Sequence, residues 1–117
     1  MARHNQTGKE GEALAASWLA VNGYNILHQN WRHGHWEVDV IASKEKRLHI
    51  IEVKTRSTQN FGHPEENMDA KKMQYLINAA EEYLYQHPQW QQLQFDILAI
   101  TLKQDEVEYF LIEDVYL

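Results

Sequence analysis

The run Phe95-Asp96-Ile97-Leu98-Ala99-Ile100-Thr101-Leu102 narrows most what this chain can become. It is apolar on both faces, so as a β-strand it needs cover on both. Two segments have the periodicity to supply that cover. The first helix is expected from about Gly8 to Val21, with Thr7 as N-cap, Glu10 as its capping-box partner and Gly23 as the stop. Leu14, Trp18 and Val21 repeat at helical spacing and are expected to face the core, while Gly8, Gly11, Glu12, Ala15 and Leu19 form an adjoining stripe of mostly small residues. Small side chains there let another backbone come close. The second helix is marked by Met68, Lys72, Leu76, Ala80, Tyr83 and Leu84, from about Asp69 to Gln86, and ends near Pro88.

Further strands are expected at Tyr24–Gln29, Trp36–Ala42, Leu48–Thr55 and Val107–Ile112. The order α-β-β-β-α-β-β predicts a mixed sheet flanked by helices. At 117 residues there is no room for a second sizeable core, so one α/β domain is expected, with residues 1–7 as a flexible N-terminal arm. Eleven Lys and Arg against seventeen Asp and Glu give a net charge of −6. Bulk charge therefore opposes nucleic-acid binding, which has to rest on a local basic patch or a bound cation. No cysteine is present, which excludes disulfides and thiolate metal sites. Without an apolar leader or spanning run, a cytoplasmic location and no membrane partner are expected.

Acidic residues interrupt two of the apolar strands. Alternation puts Glu37, Asp39 and Ile41 on one face of the first, and Leu48, Ile50, Glu52 and Lys54 on one face of the second. If a four-residue loop joins them, Ser43 pairs with Leu48, and Asp39 then lies opposite Glu52 and Glu37 opposite Lys54. Like charges opposed in this way are destabilising unless neutralised. Mg²⁺ or Mn²⁺ is the simplest neutraliser, since a hard cation takes one or two carboxylates together with phosphate oxygens and water. With Lys54 beside it, the set suits phosphodiester hydrolysis. The plainer alternative is solvated acids and an ordinary cross-strand ion pair between Glu37 and Lys54.

The ordered series Gly8-x-x-Gly11-Glu12-x-x-Ala15, Gly23-Tyr24-x-Ile26-Leu27, Asn30-Trp31-Arg32, Glu37-Val38-Asp39-Val40-Ile41-Ala42, Glu52-Val53-Lys54-Thr55-Arg56, Phe61-Gly62-x-Pro64-Glu65, Lys72 and Phe95-Asp96 resembles the bacterial YraN-type family. That family is similar to archaeal Holliday-junction resolvases of the PD-(D/E)XK nuclease superfamily. The resemblance implies a restriction-endonuclease-like fold and a metal-dependent endonuclease. Asp39 and Glu52 match the superfamily's acidic ligands and Lys54 its lysine. Glu12 matches an acidic residue that resolvase-like members use near the metal, and Glu37 belongs to the motif in a supporting role. Lys72 resembles a basic position able to meet phosphate. Trp36 departs from the family pattern, which commonly carries Gly there.

The expected function is hydrolysis of DNA, with branched or recombination intermediates as candidate substrates and a homodimer as the matching assembly. The alternative is a non-catalytic nucleic-acid-binding or protein-interaction module on the same scaffold. Arg32 and Arg56, like Lys72, border the site and are candidate phosphate contacts. The polar stretch from Arg56 to Pro64 reads as a loop. His33-x-His35 has no third ligand at metal-binding spacing, and His49 falls on the strand face opposite Glu52, where packing or surface exposure is expected. Trp18, Tyr83 and Trp90 read as core aromatics, and no patterned set of rings suggests a single-strand stacking platform. No P-loop, Gly-x-Gly-x-x-Gly turn or serine nucleophile motif is present, which argues against nucleotide-driven and acyl-transfer chemistry.

Overall fold

A computed structural model describes residues 2–57 and 70–115. Its elements are α1 (Ala2–Val21), β1 (Asn25–His33), β2 (Trp36–Lys44), β3 (Arg47–Ser57), α2 (Ala70–Gln86), β4 (Leu93–Leu102) and β5 (Val107–Ile112). The five strands form one sheet in the order β1-β2-β3-β4-β5. All neighbours are antiparallel except β3 and β4, which run parallel because α2 lies in the crossover between them. The mixed α/β sheet expected from the sequence is therefore present. Gln94 through Ile100 of β4 are buried, as a strand covered on both faces requires.

Each face has its own core. Val38, Ile41, Leu48, Ile50, Phe95 and Ile97 pack under Met73, Leu76, Ala80 and Tyr83 of α2. Val40, Ala42, Ile51, Leu98 and Ile100 pack under Ala15 and Leu19 of α1, together with Tyr24. Burial of each of the larger aliphatic side chains contributes about 1.5–3 kcal/mol. No helix among the described residues is long and apolar enough to cross a membrane.

Helix α1 begins at Ala2, so Thr7 lies inside it rather than capping it. Ala2, Arg3, Gln6, Lys9 and Glu10 are good helix formers and offset the cost of Gly8. Leu14 and Trp18 pack against the core as expected, but Val21 does not. Val21 is 85% exposed, whereas Ala15 and Leu19 are fully buried. The small-residue stripe makes the contact, because a Cβ built on Gly11 comes within 2.9 Å of the Thr55 Cβ. The C-terminus ends as expected, with Gly23 at φ 93. There the Tyr24 N–H donates to the Leu19 carbonyl at 2.9 Å and the Gly23 N–H to that of Ala20 at 3.2 Å, a Schellman arrangement.

The β2–β3 connection is tighter than expected. Ser43 does pair with Leu48 and Ile41 with Ile50, but Lys44 pairs with Arg47 as well. The turn is therefore Glu45-Lys46, with φ of 53 and 67, the left-handed geometry of a short hairpin. The register survives because the extra rung only extends it. Strand β1 runs on to His33 and pairs with β2 through a turn at Gly34, φ 63. Strand β3 continues through Arg56 and Ser57, paired with Thr101 and Leu102 of β4, where a loop was expected to begin. The rest of that loop, the Phe61-to-Glu65 motif and the helix start near Met68 and Asp69 fall from residue 58 to 69, outside the described residues.

Candidate active site

Strands β2 and β3 part company in the middle of the sheet. Their pairing ends at Val40↔Ile51, although β2 begins at Trp36 and β3 continues to Ser57. Beyond Ile51, β3 stays paired with β4, with Glu52 beside Ile97 and Lys54 beside Ala99. At the fork, Asp39 Oδ2 accepts the Val53 N–H at 2.8 Å. The carboxylate takes the place of a strand carbonyl, which satisfies a half-buried amide and fixes the acid's position. On the other edge of β2, Asn30 has φ 53 and falls between the rungs Gln29↔Val40 and Trp31↔Val38, across from Asp39. Both strands depart from regular geometry at the acid's level.

The fork opens into a cavity of about 220 Å³ lined by His35, Glu37, Asp39, Glu52, Lys72, Tyr75 and Leu76. Asp39 and Glu52 share it, as the alternation argument required. Glu52 is 6% exposed. Burial, followed by the hydrogen bond with Glu52 and the repulsion of its charge, pushes Asp39 up to about 8, against the opposing pull of the Val53 N–H and Lys72. At neutral pH Asp39 therefore keeps its proton.

Two ammonium groups stand beside them. Lys72 Nζ, from α2, is 3.4 Å from Glu52 Oε2. Burial, and then the neighbouring Lys72, push Lys54 below the usual lysine range, while Glu52 and Asp39 partly restore it. Burial also opposes the charge on Lys72, but contact with Lys54 and the carboxylates of Glu52 and Asp39 outweigh it and lift Lys72. The cavity thus sets two acids beside Lys72, and Lys54, which is not part of the cavity lining, lies close enough to interact with Lys72 and both acids.

The remaining candidates separate. Glu37 lines the cavity, but its partner is Arg32, at 3.4 Å across the Arg32↔Glu37 rung of β1 and β2, and not Lys54. The reason is the fork: β2 has left β3 before Glu37 could face Lys54. Glu12 does not line the cavity, and its Oε1 accepts a hydrogen bond from Asn30 Nδ2 at 3.4 Å. Arg56 lies farther along β3, with its Nε 3.5 Å from Thr101 Oγ1.

Sequence reasoning missed two features. The rings of His35 and Tyr75 belong to the cavity wall, because the turn at Gly34 delivers His35 to the N-terminal half of α2. His49, expected only to pack or face solvent, is buried and bonds through Nδ1 to Asp96 Oδ2 at 2.7 Å. Asp96 Oδ1 in turn accepts from Gln94 Nε2 at 2.8 Å and from the Asp114 N–H at 2.9 Å. That network lies on the α1 side of the sheet and ties the segment after β5 to β4. Its members are far apart in sequence, so only the Phe95-Asp96 motif hinted at it.

Among the described residues, no three His, Cys, Asp or Glu side chains converge as a metal-binding group. A buried and a half-buried carboxylate lining one cavity nevertheless suit a hard divalent cation. Mg²⁺ takes only one or two carboxylates and fills its remaining positions with water or phosphate oxygens. Asp39 and Glu52 would hold it, with the positive charge replacing the proton on Asp39.

The model of the family described as uncharacterised protein family UPF0102 matches residues 11–100. A UPF0102 protein of Bacteroides thetaiotaomicron is 44% identical over 100 residues, covering 86% of this chain and 83% of that protein. Relatives from Flavobacterium psychrophilum and Parabacteroides distasonis are each 40% identical over 116 residues, covering 99% of this chain and 98% and 96% of theirs. The chain carrying this forked sheet and its paired acids belongs to the UPF0102 family, the YraN-type family that its motifs resemble.

Proposed function

We propose that this protein is a divalent-metal-dependent endonuclease that hydrolyses phosphodiester bonds in DNA. The observation that carries the reading is the convergence of Asp39 and Glu52 in one cavity, with Lys72 at 3.4 Å from Glu52 and Lys54 alongside. A bound Mg²⁺ or Mn²⁺ supplies an activated water and offsets charge developing on phosphorus. Asp39, held by the Val53 N–H, and Glu52 present their oxygens from fixed strand positions. Lys54, whose ammonium is weakened by burial and by Lys72, orients the attacking water or stabilises the transition state. Lys72 gives up its contact with Glu52 to meet a phosphate oxygen. Arg32 and Arg56 border the same region and add backbone contacts.

Branched DNA is the substrate class suggested by kinship with junction resolvases. A four-way junction has two-fold symmetry, so that version of the reading carries a homodimer with it. The deciding experiment incubates the protein with linear, flapped and four-way-junction DNA in Mg²⁺ or Mn²⁺. Cleavage that disappears in Asp39→Ala, Glu52→Ala and Lys54→Ala, with the circular dichroism spectrum unchanged, is the expected result. Cleavage that survives all three removes the assignment. Calorimetric titration with Mn²⁺ separates catalysis from a binding-only module: heat abolished by Glu52→Ala supports the nuclease, and no heat in the wild type supports the module.

A further inference from the structure

The wall of the acid cavity continues as a series of aromatic rings that leads back to the core. His35 and Tyr75 line the cavity and meet edge-on, with centroids 5.8 Å apart. His35 is 5.6 Å from Trp36, Trp36 is 6.1 Å from His33, and His33 is 6.3 Å from Trp31 at an interplanar angle of 14°. Trp31 anchors the series by packing edge-on against buried Tyr83 at 5.5 Å. The inner end is core. The outer end is not: Tyr75 is 42% exposed, and His33 and His35 are exposed as well. Rings needed only to hold the hairpin on α2 would not have to border the acids and stay open to solvent.

We infer that this rim is a stacking platform, and that the strand entering the cavity is unpaired DNA. Resting on the nuclease reading, this names its substrate class. The faces of duplex bases are covered by their neighbours, so an open ring can stack only on a base that is single-stranded, splayed or flipped. The charge balance points the same way. A chain of net charge −6 cannot hold DNA by phosphate neutralisation over a broad surface, so contacts to bases must supply more of the affinity. Trp36, the bulky residue at the cavity rim, becomes part of the platform rather than an obstruction to it.

The test measures binding by fluorescence anisotropy in Ca²⁺, which fills oxygen sites with a geometry unlike that of Mg²⁺, and gels verify that the probes stay intact. The probes are a short single strand of mixed sequence, its blunt duplex, and a strand of equal length with abasic central positions. The single strand is expected to bind about ten-fold more tightly than either of the others. Tyr75→Ala and Trp36→Ala are expected to lose about ten-fold on the single strand alone, and Tyr75→Phe to retain wild-type affinity. Tyr75 lies on an exposed part of α2, so its variants carry the test if Trp36→Ala does not fold. Equal affinity for the intact and abasic strands, or wild-type binding by Tyr75→Ala, overturns the platform. Base-dependent binding without metal-dependent cleavage leaves the platform standing and removes the nuclease; cleavage without base dependence does the reverse.

Discussion

Asp39 Oδ2 accepts the Val53 N–H at 2.8 Å, at the place where β2 and β3 stop pairing. One side chain therefore closes the ladder and forms the wall of the cavity behind it. The two roles separate by substitution. Asn keeps an acceptor for Val53 and removes the ability to ionise. Asp39→Asn is expected to leave the melting temperature of the metal-free protein unchanged or raised, and to abolish Mn²⁺-dependent cleavage. Asp39→Ala, which orphans the amide, is expected to lose about 1–3 kcal/mol of stability as well. Denaturant unfolding of both variants beside the wild type checks the split.

The raised Asp39 makes stability depend on pH. Its ordinary value is 3.8 and burial with Glu52 lifts it to about 8, so between those values the folded state holds a proton that the unfolded chain has released. The native state then binds more protons, and stability falls as pH rises through the window. The stabilisation is complete below about 4 and gone above about 8. In metal-free buffer the wild type is expected to lose melting temperature from pH 5.5 to pH 8.5, and Asp39→Asn to show a flatter profile over the same range. Parallel profiles for the two proteins would contradict the assignment.

A divalent cation is expected to reverse that loss. A ligand that binds only the folded state at 100-fold excess over its Kd stabilises by about 2.7 kcal/mol. Mn²⁺ titrated at pH 8, where the Asp39 proton is already leaving, is expected to raise the melting temperature more than at pH 6. Glu52→Gln is expected to remove the rise at both values. Differential scanning fluorimetry at graded Mn²⁺ reads all four cases.

Much of this geometry was legible in the sequence, and for identifiable reasons. The alternation of Glu37, Asp39 and Ile41 against Ile50, Glu52 and Lys54 depends only on the period of a strand, so the two acids met as expected. The fork was not legible. Nothing local announces that Asp39 will take the Val53 N–H and end the ladder, and so the Glu37 partner was expected on the wrong side of β2, at Lys54 of β3 where it is Arg32 of β1. Helix α1 shows a similar limit. Leu14, Trp18 and Val21 satisfy the apolar period, and Leu14 and Trp18 do pack against the core, but close approach to β3 at Thr55 puts the Gly11, Ala15 and Leu19 stripe at the centre of the contact and leaves Val21 outside it. The ring series from Tyr75 to Trp31 joins residues on α2 and on the β1–β2 hairpin, which only the turn at Gly34 brings together.

Gly11 offers a test of that helix approach that is independent of catalysis. Alanine in place of glycine within a helix normally gains about 1 kcal/mol. Here the new methyl group would meet the Thr55 side chain, its Cβ only 2.9 Å away. Thr55 belongs to β3, whose backbone is paired on the other side with β4, so the strand cannot easily retreat. Overpacking of this kind costs about 1–3 kcal/mol and outweighs the helix gain. Gly11→Ala is expected to lower the melting temperature, and the double variant Gly11→Ala with Thr55→Ala, which removes the Oγ1 that the new methyl group meets first as well as the Cγ2 methyl, to recover part of the loss. Thr55 also follows Lys54 directly, so a displaced β3 moves the amine beside the acids. Gly11→Ala is therefore expected to lower cleavage as well as stability, with the partial recovery in the double variant appearing in both readouts. A Gly11→Ala protein more stable than the wild type would show that α1 does not press on β3 at this point.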